Sequence, residues 1–338
     1  MEKTKIGVLC PSEIAYRRFM PALAKIPHFE FGGIAHASAS EWFGEATEEL
    51  ISADKSKAQN FVDNYGGKLF DSYDELLTSP EISAVYIPLP PALHFRWAKR
   101  ALEAGKHVLL EKPFTTALSD TDELLKIAEE KGLAVHENYM FAYHTQLEWI
   151  KEKVSEGAIG DVRLIRIDFG FPFRGANDFR YDKALGGGAL LDCGGYTVKL
   201  AAMLLGETAK ITASRLNSKD GFEVDIYGNA TLTNADGLTA QVSFGMDNSY
   251  KCSLEIWGST GTIFTNRILT APEGFEPTVI IKQGNDEQSF TLPADDTFRK
   301  SIEFFGQCLD NENTRTAHYS EIRHQAELVE KIISENKD

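Results

Sequence analysis

The order of apolar runs over the first 140 residues constrains this chain more than any other feature of its sequence. Short, mostly apolar runs at 5–9, 29–35, 84–87, 107–110 and 133–137 alternate with helix-like spacings at 14–26, 58–65, 93–104 and 119–130. Such runs suit strands covered on both faces, and strand–helix–strand repetition yields a parallel sheet with helices on each side. Gly66-Gly67, Gly105 and Gly132 stop three of the helices. Ser119 is expected to cap the helix at 119–130, with Asp122 three residues on and Leu124, Ile127 and Ala128 as its apolar stripe. The segment 39–56, with Trp42, Phe43 and four glutamates, is long for a connection and reads as a partly ordered insertion.

Near residues 140–160 the pattern changes. Strands are expected at 162–171, 209–216, 222–233, 238–246 and 252–257, with Pro172 stopping the first and turns at 234–237, 258–261 and 284–286. The chain closes on helices, in which Ile322, Ala326, Val329 and Ile333 share one face. The fold class is therefore α/β: an N-terminal Rossmann-type doubly wound parallel sheet, then an α+β domain with a large, mostly antiparallel open sheet. A chain of 338 residues is long enough for two domains. These are placed at 1–140 (dinucleotide binding) and 141–338 (substrate binding), with the last helix packing back toward the first domain.

The formal net charge of −15 makes nucleic acid and anionic membrane poor partners. Cys10, Cys193, Cys252 and Cys308 are far apart and form no CxxC pair, which argues against structural zinc and against a disulfide framework. The N-terminus has no secretory apolar core, and no apolar run reaches the length that spans a bilayer, so a cytoplasmic location is expected.

A strand running into a helix near the N-terminus is where a dinucleotide would bind, its pyrophosphate on the helix N-terminus. The turn here reads Cys10-Pro11-Ser12-Glu13-Ile14-Ala15; against G-x-G-x-x-G/A only Ala15 fits, although Ser12 can cap the helix. From these residues alone a plain strand-to-helix turn reads better. The second strand ends in His36-Ala37-Ser38-Ala39 with no carboxylate for a ribose hydroxyl. That favours NADP over NAD, with Ser38 as a 2′-phosphate contact and Lys55 or Lys57 as its cation. Glu111-Lys112-Pro113 follows the 107–110 strand, at the sheet edge where ligands of open α/β folds bind, although a surface lysine in a turn is the plainer reading of one tripeptide. Three glycines at 186–188 precede Asp192 and Tyr196, which share one side of a helix if that helix begins early. A glycine-rich loop with a core tyrosine explains the same residues equally well.

In combination these segments resemble the Gfo/Idh/MocA oxidoreductase family. The resemblance runs through Ile6-Gly7-Val8-Leu9, Tyr86-Ile87-Pro88-Leu89-Pro90 with His94, Glu111-Lys112-Pro113, Glu137-Asn138-Tyr139-Met140, Tyr143-His144, Phe179-Arg180-Tyr181-Asp182 and the 186–196 block. It implies Lys112 and Tyr196 as the catalytic pair, with Asp192 as a substrate or proton-network contact. It also implies cofactor contacts at Cys10, Ser12, Glu13, Ile14, Pro88, Leu89, His94, Glu111, Lys112 and Asn138, and substrate contacts at Tyr143, His144 and Arg180. For His94 a structural role is nearly as well supported. The implied reaction moves a hydride between NADP or NAD and a secondary alcohol or ketone of a sugar, with a nucleotide-linked keto-sugar the first choice. Oxidation of a free aldose or a trans-dihydrodiol is the alternative within the family; a cofactor-binding regulator without catalysis is the alternative of another class. A tyrosine of reference pKa ~10 donates a proton poorly at neutral pH, and a neighbouring lysine cation lowers that value. A homo-oligomer, dimer or tetramer, is also implied.

Overall fold

The computed structural model describes residues 3–175 and 177–336, which divide into two units. The first contains Met1–Asn138 and Phe298–Arg323. Its strands are β1 (Thr4–Leu9), β2 (Phe29–Ala35), β3 (Lys68–Phe70), β4 (Ala84–Ile87), β5 (His107–Leu110) and β6 (Val135–Glu137). All pair in parallel, in the order β3-β2-β1-β4-β5-β6. The order reverses between β1 and β4, which sets a ligand crevice at their carboxyl ends. All four residues of β4 are fully buried, as are Ile6, Val8 and Leu9 of β1, which explains their unbroken apolar character.

The helices are α1 (Met20–Leu23), α2 (Glu48–Tyr65), α3 (Tyr73–Thr78), α4 (Pro91–Glu103) and α5 (Leu118–Lys131). A π turn over Ala15–Phe19 leads directly into α1. The structure departs from the sequence reading in three places. The second half of the supposed insertion 39–56 is the first half of α2, whose N-cap Thr47 accepts from the Leu50 N–H at 3.2 Å. Its turns are polar and exposed, so they carry no apolar stripe. β3 and α3 went unread because they span three and six residues. Ser119 does not cap α5; Ala117 stands at that position, and Thr115 Oγ1 donates to the Ala117 carbonyl at 2.7 Å instead.

The second unit contains Tyr139–Thr297 and His324–Asp338. Its sheet orders eight strands as β14-β13-β12-β11-β7-β10-β9-β8. These are β7 (Val162–Gly170), β8 (Lys210–Asn217), β9 (Tyr227–Thr233), β10 (Thr239–Gly245), β11 (Lys251–Gly258), β12 (Gly261–Asn266), β13 (Thr278–Gln283) and β14 (Asp286–Thr291). Every pairing is antiparallel except β7 with β10. Ala240, Val242 and Phe244 alternate inward from β10. The expected strand 222–233 begins only at Tyr227, because Asp225 turns aside to accept the Leu190 N–H at 2.7 Å. The helices of this unit are α6 (Thr145–Ser155) and α7 (Gly195–Leu205); a π turn over Leu190–Gly194 precedes α7. α8 (Thr297–Asp310) and α9 (Glu312–Glu335) close the chain, and α9 contributes its first half to one unit and its second half to the other. One stretch, Lys183–Leu205, does reach the length and apolar character of a membrane span, contrary to the sequence reading. It is 67% buried within the protein, as a core helix is.

Candidate active site

In the first unit the expected residues collect at the carboxyl ends of β1, β2, β4, β5 and β6. Cys10 follows β1 with φ 85°, the left-handed backbone that a fingerprint glycine would supply. Its carbonyl accepts the Ser12 N–H at 2.9 Å across Pro11. Ser12 Oγ accepts the Ala15 N–H at 3.2 Å, so Ser12 caps the helix and the N–H groups of Glu13 and Ile14 open its first turn. The Glu13 side chain is exposed and pairs with Arg17 at 3.2 Å. Burial pushes the Cys10 thiol up to about 12, with the Asp54 carboxylate adding to the effect, so it is a neutral wall rather than a nucleophile.

The end of β2 differs from the sequence reading, because the fold brings two carboxylates to it. Asp54, from α2, accepts the Ala37 N–H at 3.2 Å. Glu41 accepts the Ser38 hydroxyl at 2.8 Å and the N–H groups of Ser38, Tyr73 and Asp74 at 2.9–3.0 Å, and is only 5% exposed. The Ser38 proton is thus given to Glu41, not turned out toward a phosphate. Lys55 is held by Asp71 at 2.7 Å, whereas Lys57 acts electrostatically on Cys10 and Asp54 at the strand ends.

Pro88 and Leu89 leave β4 buried. His94 is wholly buried, its ring nitrogens each 2.7 Å from a carbonyl oxygen, of Leu89 and of Pro113. Burial pushes its imidazole down to about 4 against the pull of those carbonyls. It ties the loop after β4 to the loop after β5, and offers no surface for the cofactor contact expected of it. The Lys112–Pro113 peptide is cis. Glu111, beside Lys112, accepts the Tyr86 hydroxyl at 2.7 Å and Asn138 Nδ2 at 2.6 Å. Burial pushes its carboxyl up, while those hydrogen bonds and the Lys112 cation act in the opposite sense. Asn138 is 1% exposed, so it orients Glu111 from behind.

In the second unit, Tyr196 lies on a helical stretch that begins before Asp192, whose N–H bonds to the Gly188 carbonyl at 3.0 Å. The early start places both residues on one continuous helix. Tyr196 is 8% exposed and ringed by Tyr139, Phe141 and Phe169 at centroid distances of 5.1, 5.8 and 5.5 Å. Gly195 is required there: a Cβ would stand 2.2 Å from the Tyr139 hydroxyl. Gly187 is required likewise, since its Cβ would meet the Arg180 carbonyl oxygen at 2.4 Å. Arg180 donates to Asp192 at 2.9 Å and to Asp178 at 3.1 Å. Burial opposes its charge, but the two carboxylates outweigh this and keep the guanidinium ionised. Arg180 is therefore a strut for Asp192. His144, 2% exposed, accepts the Gln146 N–H on Nδ1 at 3.1 Å and caps α6. Tyr143 beside it is half-buried.

Asp225, missed in the sequence, accepts the N–H of Leu190 at the start of this helix. Burial pushes its carboxyl up to about 6, although backbone N–H groups pull it down. A raised carboxyl binds its proton more tightly when folded, so it adds stability as pH falls through about 6 and loses that contribution as pH rises. Asp225→Asn keeps an acceptor and removes the charge. Its stability relative to wild type is expected to rise by about 2 kcal/mol between pH 4.5 and 7.5 in urea unfolding; a constant difference would contradict the assignment.

Two family models cover most of the chain: the Gfo/Idh/MocA oxidoreductase family, NAD-binding Rossmann fold, over residues 29–139, and the Gfo/Idh/MocA C-terminal domain over 147–264. The chain belongs to the Gfo/Idh/MocA family. Within that family it is 37% identical over 335 residues to a dTDP-3,4-didehydro-2,6-dideoxy-alpha-D-glucose 3-reductase of Actinomadura kijaniata, covering 99% of this chain and 96% of the relative. A protein of the same name from Streptomyces violaceoruber is 36% identical over 337 residues, covering 97% and 94%. The solved structure of KijD10, a 3-ketoreductase from Actinomadura kijaniata in complex with NADP and TDP-benzene, superposes with a TM-score of 0.91 at 36% identity over 100% of this chain and 99% of that one.

Proposed function

We propose that this oxidoreductase uses NADPH to reduce a ketone on a nucleotide-linked deoxysugar. One observation carries the reading. KijD10 has been solved with a single lysine and a single tyrosine substituted, and those two residues have the same sequence separation as Lys112 and Tyr196. The nicotinamide supplies the hydride that reduces the carbonyl carbon. The rest of the chemistry falls to the chain: Lys112 polarises the carbonyl oxygen, Tyr196 donates the proton that the resulting alkoxide needs, and Asp192, held by Arg180, orients the substrate. Identities of 28% to an NADP-dependent D-xylose 1-dehydrogenase of Haloferax volcanii and 29% to a trans-1,2-dihydrobenzene-1,2-diol dehydrogenase of Xenopus tropicalis give less support to an aldose or dihydrodiol substrate.

The strand ends fit a dinucleotide. Cys10 adopts the backbone of a fingerprint glycine, and the Ser12-capped helix presents its first N–H groups. Glu41 is turned inward, and Lys57 is the cation suited to a 2′-phosphate. Titration by tryptophan quenching is expected to give NADPH about tenfold tighter binding than NADH, with Lys57→Ala closing the gap. NADPH oxidation with dTDP-linked 3-keto-sugars then tests the substrate class; turnover only with free aldoses or diols would reject it. We further propose a cytoplasmic homo-oligomer. The four cysteines form no disulfide among the described residues, and Tyr227, Tyr250 and Trp257 stand 45–50% exposed on or beside strands of the second unit. A solution mass equal to the 37.5 kDa monomer would exclude the oligomer.

A further inference from the structure

A continuous chain of polar side chains runs through the first unit from its surface to Glu111. Glu321 Oε2 lies 3.1 Å from His318 Nδ1, and His318 Nε2 lies 2.9 Å from His136 Nδ1. His136 Nε2 is 2.8 Å from Ser301 Oγ, and Ser301 Oγ is 2.8 Å from Asn138 Oδ1. Asn138 Nδ2 closes the chain on Glu111 Oε1 at 2.6 Å. His318, His136, Ser301 and Asn138 are 3%, 0%, 0% and 1% exposed, whereas the Glu321 side chain is 62% exposed. Phe304 packs on both imidazoles, at 5.7 and 5.0 Å, and Phe305 packs on His136 at 6.2 Å. His136, Ser301, His318 and Glu321 are not among the residues expected to touch cofactor or substrate.

We propose that these six side chains share one proton, which couples the charge of Glu111, the neighbour of Lys112, to the protein surface. The hydrogens available across these contacts require it. With Glu111 ionised, Asn138 must turn its Nδ2 to that carboxylate and its Oδ1 to Ser301. Ser301 then spends its only hydrogen on Asn138, so His136 must donate from Nε2. The His136–His318 contact needs a second ring hydrogen, and the His318–Glu321 contact a third. Two neutral imidazoles carry two, so the pair holds one proton in excess, balanced by Glu321. In the other arrangement that proton sits on Glu111, which donates to a rotated Asn138. Asn138 donates to Ser301, Ser301 to His136, His136 to His318 and His318 to Glu321, and both imidazoles are neutral. The two states have the same atoms and differ in where one proton sits and in the sense of the hydrogen bonds between Glu111 and His136, while His318 donates to Glu321 in both.

The groups facing the relay permit both states. Lys112 favours the ionised Glu111, and burial favours the protonated one. On the α8 side Cys308 is neutral, its thiol pushed up to about 12 by burial, and Arg315 donates to its carbonyl at 3.0 Å. Glu321 is the carboxylate that meets His318. His136, Ser301 and Asn138 are thus positioning residues. They do not touch substrate, but they decide whether Lys112 stands beside a charge or a neutral acid. That consequence for Lys112 rests on the function proposed above; the proton count does not.

Histidine ring ¹⁵N spectra of the full-length protein test the count from pH 5 to 9. Three ring N–H groups over His136 and His318 are expected near neutral pH, lost as a single shared step. Glu321→Gln, at the exposed end, is expected to lower that midpoint by about one pH unit. The pH profile of kcat should move with it, with KM changed less than twofold. Ser301→Ala should leave the pair titrating but uncouple kcat from it. One N–H per ring throughout, or two independent ordinary titrations, would overturn the proposal. So would a kcat profile unmoved in both variants. If no keto-sugar is turned over, the functional reading fails, and the spectra alone decide the relay.

Discussion

Replacing Lys112 with alanine is expected to lower kcat/KM for ketone reduction by about 10³-fold while leaving NADPH affinity within about threefold. The size follows from what the ammonium does. As hydride reaches the carbonyl carbon, negative charge builds on the oxygen, and a cation fixed nearby stabilises that charge more than it stabilises the ground-state ketone. Lys112 is placed for this by its surroundings: it leaves the end of β5, a fully buried strand apart from His107, and the loop beyond it is tied through Pro113 to His94. Glu111 is held behind it by Tyr86 and Asn138, so the carboxylate that would otherwise compete for the ammonium is already engaged. Steady-state assays with the keto-sugar at several NADPH concentrations separate the two effects. A loss below tenfold would remove Lys112 from the chemistry. An equal loss of NADPH binding would make it a cofactor anchor instead.

How much of this site the sequence exposed depends on how far apart along the chain the interacting groups lie. β1, β4 and β5 were readable because they are buried on both faces and show it as unbroken apolar runs. Lys112 and Tyr196 stand out in the sequence as candidates because their motifs are local: a tripeptide after a strand and a glycine-rich entry to a helix. The groups that position them do not. Asp54 reaches the end of β2 from the exposed, polar half of α2, whose composition hides the helix itself. Asp225 caps a helix 35 residues back along the chain. His94 and His144 look like ligand residues in a one-dimensional motif, yet each is buried; His94 spends both ring nitrogens on carbonyls, and His144 uses Nδ1 to cap a helix. The mismatch of Cys10 to the glycine pattern has a related reason. Only the backbone conformation matters there, and Cys10 adopts the positive φ at a cost that L-residues seldom meet.

Tyr196→Phe is expected to lower kcat by about 10²-fold, with KM and thermal stability nearly unchanged. The phenylalanine keeps every ring contact with Tyr139, Phe141 and Phe169, and these, not the hydroxyl, account for the packing. What is lost is one O–H in a site that is 8% exposed, where solvent is a poor substitute donor. The expected loss is smaller than for Lys112 because a proton can still arrive from water admitted with the substrate, whereas nothing replaces a fixed cation. The comparison is best made through the solvent isotope effect on kcat. If Tyr196 supplies the proton, the phenylalanine variant should show a larger effect than wild type, since protonation then limits the rate. An unchanged kcat, with an unchanged isotope effect, would leave Tyr196 as a wall of the substrate pocket and move the proton donor to Lys112 itself.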